Sequence, residues 1–69
     1  MKLRLIADNG CTGGTCPTAY LTDKGTAVIQ GYVVDDPVAL AQLGLPAGET
    51  AVEVPVELLV DAARKAAGG

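Results

Sequence analysis

Histidine, serine, phenylalanine and tryptophan are absent from this 69-residue chain, and tyrosine and cysteine occur twice each. Without His or Ser, its own side chains cannot build a Ser-His-Asp or Cys-His catalytic site, nor an imidazole metal site. Without Phe or Trp it lacks large core anchors, and much of its 49% hydrophobic content is alanine, which buries little. Five basic residues against eight acidic ones give a net charge of −3. The basic residues are scattered along the sequence, which argues against an autonomous nucleic-acid binder. No apolar run approaches the ~20 residues of a membrane-spanning helix, and Met1 leads directly into Lys2, Leu3 and Arg4 without a signal-peptide pattern. The expectation is one small cytoplasmic domain, residues 1–69, that touches neither membrane nor nucleic acid and is not an enzyme. A core so poor in large side chains also calls for a staple: a disulfide, a metal or a partner surface, homodimerisation being the simplest.

Local patterns predict an α+β fold: a small antiparallel sheet of about four strands, one short helix and one C-terminal amphipathic helix. Lys2 to Ala7 alternates, with Leu3, Leu5 and Ala7 on one face and Lys2, Arg4 and Ile6 on the other, the period of a strand. Asp8 to Pro17 is turn and breaker chemistry throughout. Thr18 to Thr22 reads as a short strand, and Asp23-Lys24-Gly25 as a type I turn closed by a left-handed Gly25. The return strand, Thr26 to Val34, is apolar on both faces and so is expected to be central. Gly31 within it signals a bulge or a close backbone approach. Asp36 is placed to cap a short helix, with Pro37 at its first position and Gly44 ending it, and Leu40 and Leu43 as its buried side. Leu45 to Glu49 forms a turn, and Thr50 to Val54 alternates as a further strand with Val52 and Val54 inward. After Pro55, the residues Val56, Leu59, Val60, Ala63 and Ala67 form an apolar stripe on a helix ending near Ala67. Glu57, Asp61, Arg64 and Lys65 face water, Asp61 and Lys65 at a favourable i,i+4 spacing.

Cys11 and Cys16 sit on one glycine-rich loop, flexible enough to bring both sulfurs together. Three uses fit. Two copies of the loop across a dimer axis would supply the four thiolates of a structural zinc site. A redox pair is a second use, although the spacing is longer than Cys-x-x-Cys and no helix follows. A local disulfide or two quiet thiols is the third. Asp35 and Asp36, with Asp8 and Asp23, suggest a cation site or an acid–base pair, but Asp36 already has a capping role. For binding, the sequence singles out Tyr20, Val28 and Tyr32 on the sheet and Leu59 on the last helix, because stiff amphipathic tyrosines and apolar helix faces suit interfaces.

Three resemblances bear on function. The acidic composition, the length and the terminal Gly68-Gly69, with the Ala47-Gly48-Glu49 turn, resemble the ubiquitin-like sulfur carriers. That likeness implies a C-terminal glycine, Gly69, that is adenylated and thiocarboxylated. In that family the tail leaves a strand; here it follows helix formers, and glycine is also an ordinary helix stop. The stretch Leu43 to Val54 resembles the helix–turn–strand of swapped-hairpin, AbrB-like DNA-binding antitoxins, yet no basic residue lies between Gly25 and Asp61. The longest likeness runs from about Asn9 to Lys65. Gly13-Gly14-Thr15-Cys16, Ala19-Tyr20-Leu21, Gly25-Thr26-Ala27-Val28, Asp35-Asp36-Pro37 and Val52 to Leu59 resemble the small actinobacterial accessory proteins encoded beside helix-turn-helix regulators, a group that includes the BldB-type proteins. The aromatic residues of that group's last helix are missing, and Cys11, the first strand and the Asp36–Leu43 helix are additions. The resemblance implies a non-enzymatic module that acts by binding a helix-turn-helix regulator, in a role compared to antitoxins or antirepressors; the small core makes it expected to be dimeric.

Overall fold

A computed structural model of the chain describes residues 1–8 and 16–68. The element order is β1 (Leu3–Ala7), β2 (Thr18–Thr22), β3 (Ala27–Gln30), β4 (Tyr32–Val33), α1 (Pro37–Leu43), β5 (Val52–Glu53) and α2 (Val56–Gly68). The fold is α+β, as the local patterns predict. Its strands form two antiparallel sheets: a three-stranded one in the order β1-β2-β3, and a two-stranded one pairing β4 with β5.

The first sheet is set by its hairpin. Thr22 Oγ1 accepts from the backbone N–H groups of Lys24 (3.1 Å) and Thr26 (3.2 Å) and lies 2.7 Å from Thr26 Oγ1. Gly25 takes a φ of 81°, the left-handed geometry expected of this turn. β2 is the central strand, between β1 and β3, so the apolar return strand lies at an edge rather than in the middle. In β1, Leu5 pairs with Tyr20 but Ala7 pairs with Ala19, so Ile6 is an extra residue, a β-bulge. The bulge overrides the alternation and buries Ile6 and Ala7 together.

The expected long strand from Thr26 to Val34 is broken at Gly31. A Cβ on Gly31 would lie 2.7 Å from the Glu53 carbonyl oxygen and 2.6 Å from Val54 Cγ1. The backbone of β5 therefore passes where a side chain would stand, and glycine is the residue that permits it. Beyond this crossing the chain leaves β2 and pairs with β5, and the Val34 N–H donates to the Ala51 carbonyl at 3.0 Å.

Between β4 and β5 stands α1. Asp36 Oδ1 accepts from the Val38 N–H at 3.0 Å, Pro37 fills the first turn, and Gly44, at φ 59°, returns its N–H to the Leu40 carbonyl. The caps are those expected; the burial is not. No residue of α1 is buried, and Leu40 and Leu43 are exposed. β4, α1 and β5 thus form an arm, joined to the first sheet at Gly31.

The core lies between the first sheet and α2. Ile6, Ala7, Ala19 and Leu58 are buried, with Leu21, Ile29, Val54 and Ala62 packed around them. α2 buries Leu58 completely, while Val56, Leu59 and Val60 are 70%, 48% and 46% exposed. The stripe read from the sequence is therefore out of phase. The face on the sheet is that of Leu58 and Ala62, and the more apolar side of the helix points away.

Two substitutions check this arrangement in urea denaturation. Leu58→Ala truncates a large, fully buried side chain and is expected to cost about 2–5 kcal/mol, whereas Leu59→Ala should cost under about 1 kcal/mol. Gly31→Ala, which cannot avoid the Glu53 carbonyl without moving β5, is expected to cost about 1–3 kcal/mol.

Candidate binding surface

Side chains alternate along β2, so with Ala19 and Leu21 on α2 the intervening Tyr20 faces the other side of the sheet. Tyr20 pairs directly with Leu5 on one flank and Val28 on the other. The three form a cross-strand row, with Leu3 beside them and both leucines about half exposed. The Tyr20 hydroxyl lies 3.5 Å from Gln30 Oε1, at the limit of a hydrogen bond. Tyr20 and Val28, chosen separately from the sequence, are neighbours in the fold.

Tyr32 and Leu59 are elsewhere. Tyr32 is exposed on β4, beside a cleft whose walls are Pro17, Glu53, Val54 and Pro55. Leu59 lies on the outward side of α2, between Val56 and Val60, all three exposed. The four predicted residues thus fall on three surfaces rather than one. The outward side of α2 is the most continuous of these, because residues three and four apart on a helix are neighbours.

Sequence reasoning missed the basic end of the molecule. Arg4, Arg64 and Lys65 line one cleft of about 390 Å³ with Leu5, Ile6 and Gly68. Arg4 also lines a second cleft with Lys2, Leu3 and Asp23. Residues that are scattered in the sequence converge because α2 lies back across β1. No spacing rule links position 4 to position 64, so the sequence carries no signal for this convergence.

For the cysteine loop, Cys16 is disulfide-bonded, and Cys11 lies outside the described residues. A sulfur in a disulfide has no thiolate to offer a metal. Among the described residues, no group of three His, Cys, Asp or Glu side chains is placed to hold an ion. Asp36 is occupied as the α1 cap, and Asp35 precedes it in the exposed turn. α2 runs through Gly68, and Gly69 lies outside the described residues. Among the described residues no helix is long and apolar enough to cross a membrane. Compared with family models, curated proteins and solved structures, the chain finds no match.

The disulfide contributes by restricting the unfolded chain. Cys16→Ala is expected to lower stability by roughly 2–4 kcal/mol in oxidising buffer. A reductant should bring the unaltered protein to the same melting temperature and leave the variant's unchanged.

Proposed function

We propose that the chain is a non-enzymatic protein-binding module that acts as a homodimer. The observation that carries this reading is the orientation of α2. An amphipathic helix in a self-sufficient domain turns its more apolar side inward. Here that side, with Val56, Leu59 and Val60, is left in solvent. Covering each of these partly exposed side chains is worth roughly 1 kcal/mol.

The whole surface supports the same reading. The chain exposes 5055 Å², whereas a folded monomer of 6.9 kDa should expose about 4,000 Å². Its radius of gyration is 13.2 Å, against about 11 Å for a compact domain of this length. The excess surface, about 1,000 Å², compares with the ~800 Å² per partner of a standard interface.

A helix-turn-helix regulator is the partner that the BldB-type resemblance implies. The Leu5–Tyr20–Val28 row, on the far side of the sheet from α2, suits it, because an aromatic residue flanked by aliphatic ones makes a good anchor. Cytoplasmic residence, expected from the sequence, and a Cys16 disulfide pull in opposite directions, since reducing compartments keep thiols reduced. A zinc site would need both cysteines reduced, so elemental analysis of protein purified under reductant tests that role.

The experiment is light scattering on the purified chain, followed by affinity capture from the host with an N-terminal tag. The expected results are a dimeric mass that Leu59→Lys reduces to a monomer, and recovery of a helix-turn-helix regulator. A monomeric mass at about 100 µM, above the micromolar range of typical weak homodimers, would overturn the homodimer. Recovery of an adenylating enzyme or sulfurtransferase would replace the module reading with the sulfur carrier and make Gly69 the functional residue.

A further inference from the structure

The arm of this molecule is wholly acidic, while its basic residues lie outside the arm, interspersed with Asp23, Glu57 and Asp61. Lys2, Arg4, Arg64 and Lys65, all but one of its basic residues, line the two clefts that share Arg4. The arm, from Tyr32 to Glu53, carries Asp35, Asp36, Glu49 and Glu53 and no basic residue at all. Each region also has apolar groups to cover. On the arm, Val38 and Leu43 of α1 are exposed; on α2, Leu59 and Val60 are exposed, with Arg64 one turn beyond Val60.

We infer that the acidic arm of one copy seats on the outward side of α2 and the basic clefts of a second copy. α1 packs against Leu59 and Val60, and the arm's carboxylates, Asp35 before α1 and Glu49 and Glu53 on the return through β5, meet Arg64, Lys65 and Arg4. The inference rests on the homodimer reading and names the surface that makes the dimer. Because each copy owns one arm and one basic end, a two-fold axis satisfies both contacts at once, which closes the assembly at two.

Three physical arguments choose a second copy as the occupant. The arm is wholly acidic and every basic residue lies outside it, Arg64 and Lys65 offsetting Glu57 and Asp61 on α2, and such pairing fixes orientation more than it adds attraction. The surface in excess of a compact monomer is that of one side of a standard interface. Finally, α1 has seven residues and buries none of them, while isolated helices shorter than about 12 residues are marginal in water. A surface that covers Val38 and Leu43 gives α1 the packing its own chain does not provide.

Paired charge reversal tests this. One variant carries Glu49→Arg and Glu53→Arg on the arm; the other carries Arg64→Glu and Lys65→Glu on α2. All four positions are exposed, and circular dichroism establishes that each variant retains the wild-type spectrum. Each variant alone sets like charge against like in both contacts. Its dimer should weaken at least about tenfold by sedimentation at low salt. An equimolar mixture should restore dimers, now one copy of each, at close to wild-type affinity. Should a variant lose its fold, the wild-type dimer is titrated with salt instead, and its dissociation constant should rise several-fold between about 50 and 500 mM.

Variants that self-associate like the wild type, or mixtures that fail to recover, would overturn this surface while leaving the homodimer in place. A wild-type dimer insensitive to salt would do the same. A wild type that never dimerises would overturn the homodimer itself.

Discussion

The passage of β5 across Gly31 is the contact on which the architecture turns. With 2.7 Å between the Glu53 carbonyl and the place of a Cβ, only glycine lets β5 pass at this point, and here the chain leaves β2. It changes partners, and everything from Tyr32 to Glu53 becomes an arm instead of a fourth strand of the main sheet. The same crossing delivers Val54 to the core and aims Pro55 and α2 back across the sheet. A single missing side chain thus permits the crossing at which the sheet breaks, the arm begins and α2 is sent back.

The core that results is small. Among the described residues, four buried apolar ones, two of them alanines, hold the sheet to the helix, and Leu58 is the only large side chain fully buried. For a sequence with neither Phe nor Trp this is a direct consequence of composition, since large apolar area per residue is what a short chain most lacks. The disulfide at Cys16 and the partner proposed above would be complementary remedies. The first lowers the entropy of the unfolded chain, and the second adds buried area to the folded one.

What the sequence made legible was local. The Asp36 cap, the Pro37 start, the Gly44 stop and the Gly25 turn are each specified within a few residues, and each stands where expected. Gly31 was legible as a close approach, but its consequence was not, because the residues that press on it lie more than twenty positions downstream. The phase of α2 was misread for a related reason. Val56, Leu58, Leu59 and Val60 leave two possible apolar faces, and the richer one is not the one that meets the sheet. Of the candidate binding residues, Tyr20 and Val28 came together because strand alternation and hairpin register are local, whereas Tyr32 and Leu59 were separated by the break at Gly31 and the turn of α2. The basic clefts depend wholly on tertiary structure.

The misread phase carries information of its own. A helix that spends its single large core leucine on the sheet and leaves Val56, Leu59 and Val60 outside is poorly designed for a solitary domain but well designed for an assembled one. In an assembly, the residues that appear misplaced in one copy belong to a core shared between chains. Folding and association are then coupled, and the apparent stability depends on protein concentration. Proteins of this length commonly draw part of their stability from a staple or an assembly. In the proposed dimer, the side chains left exposed on α1 and α2 are where that contribution would enter.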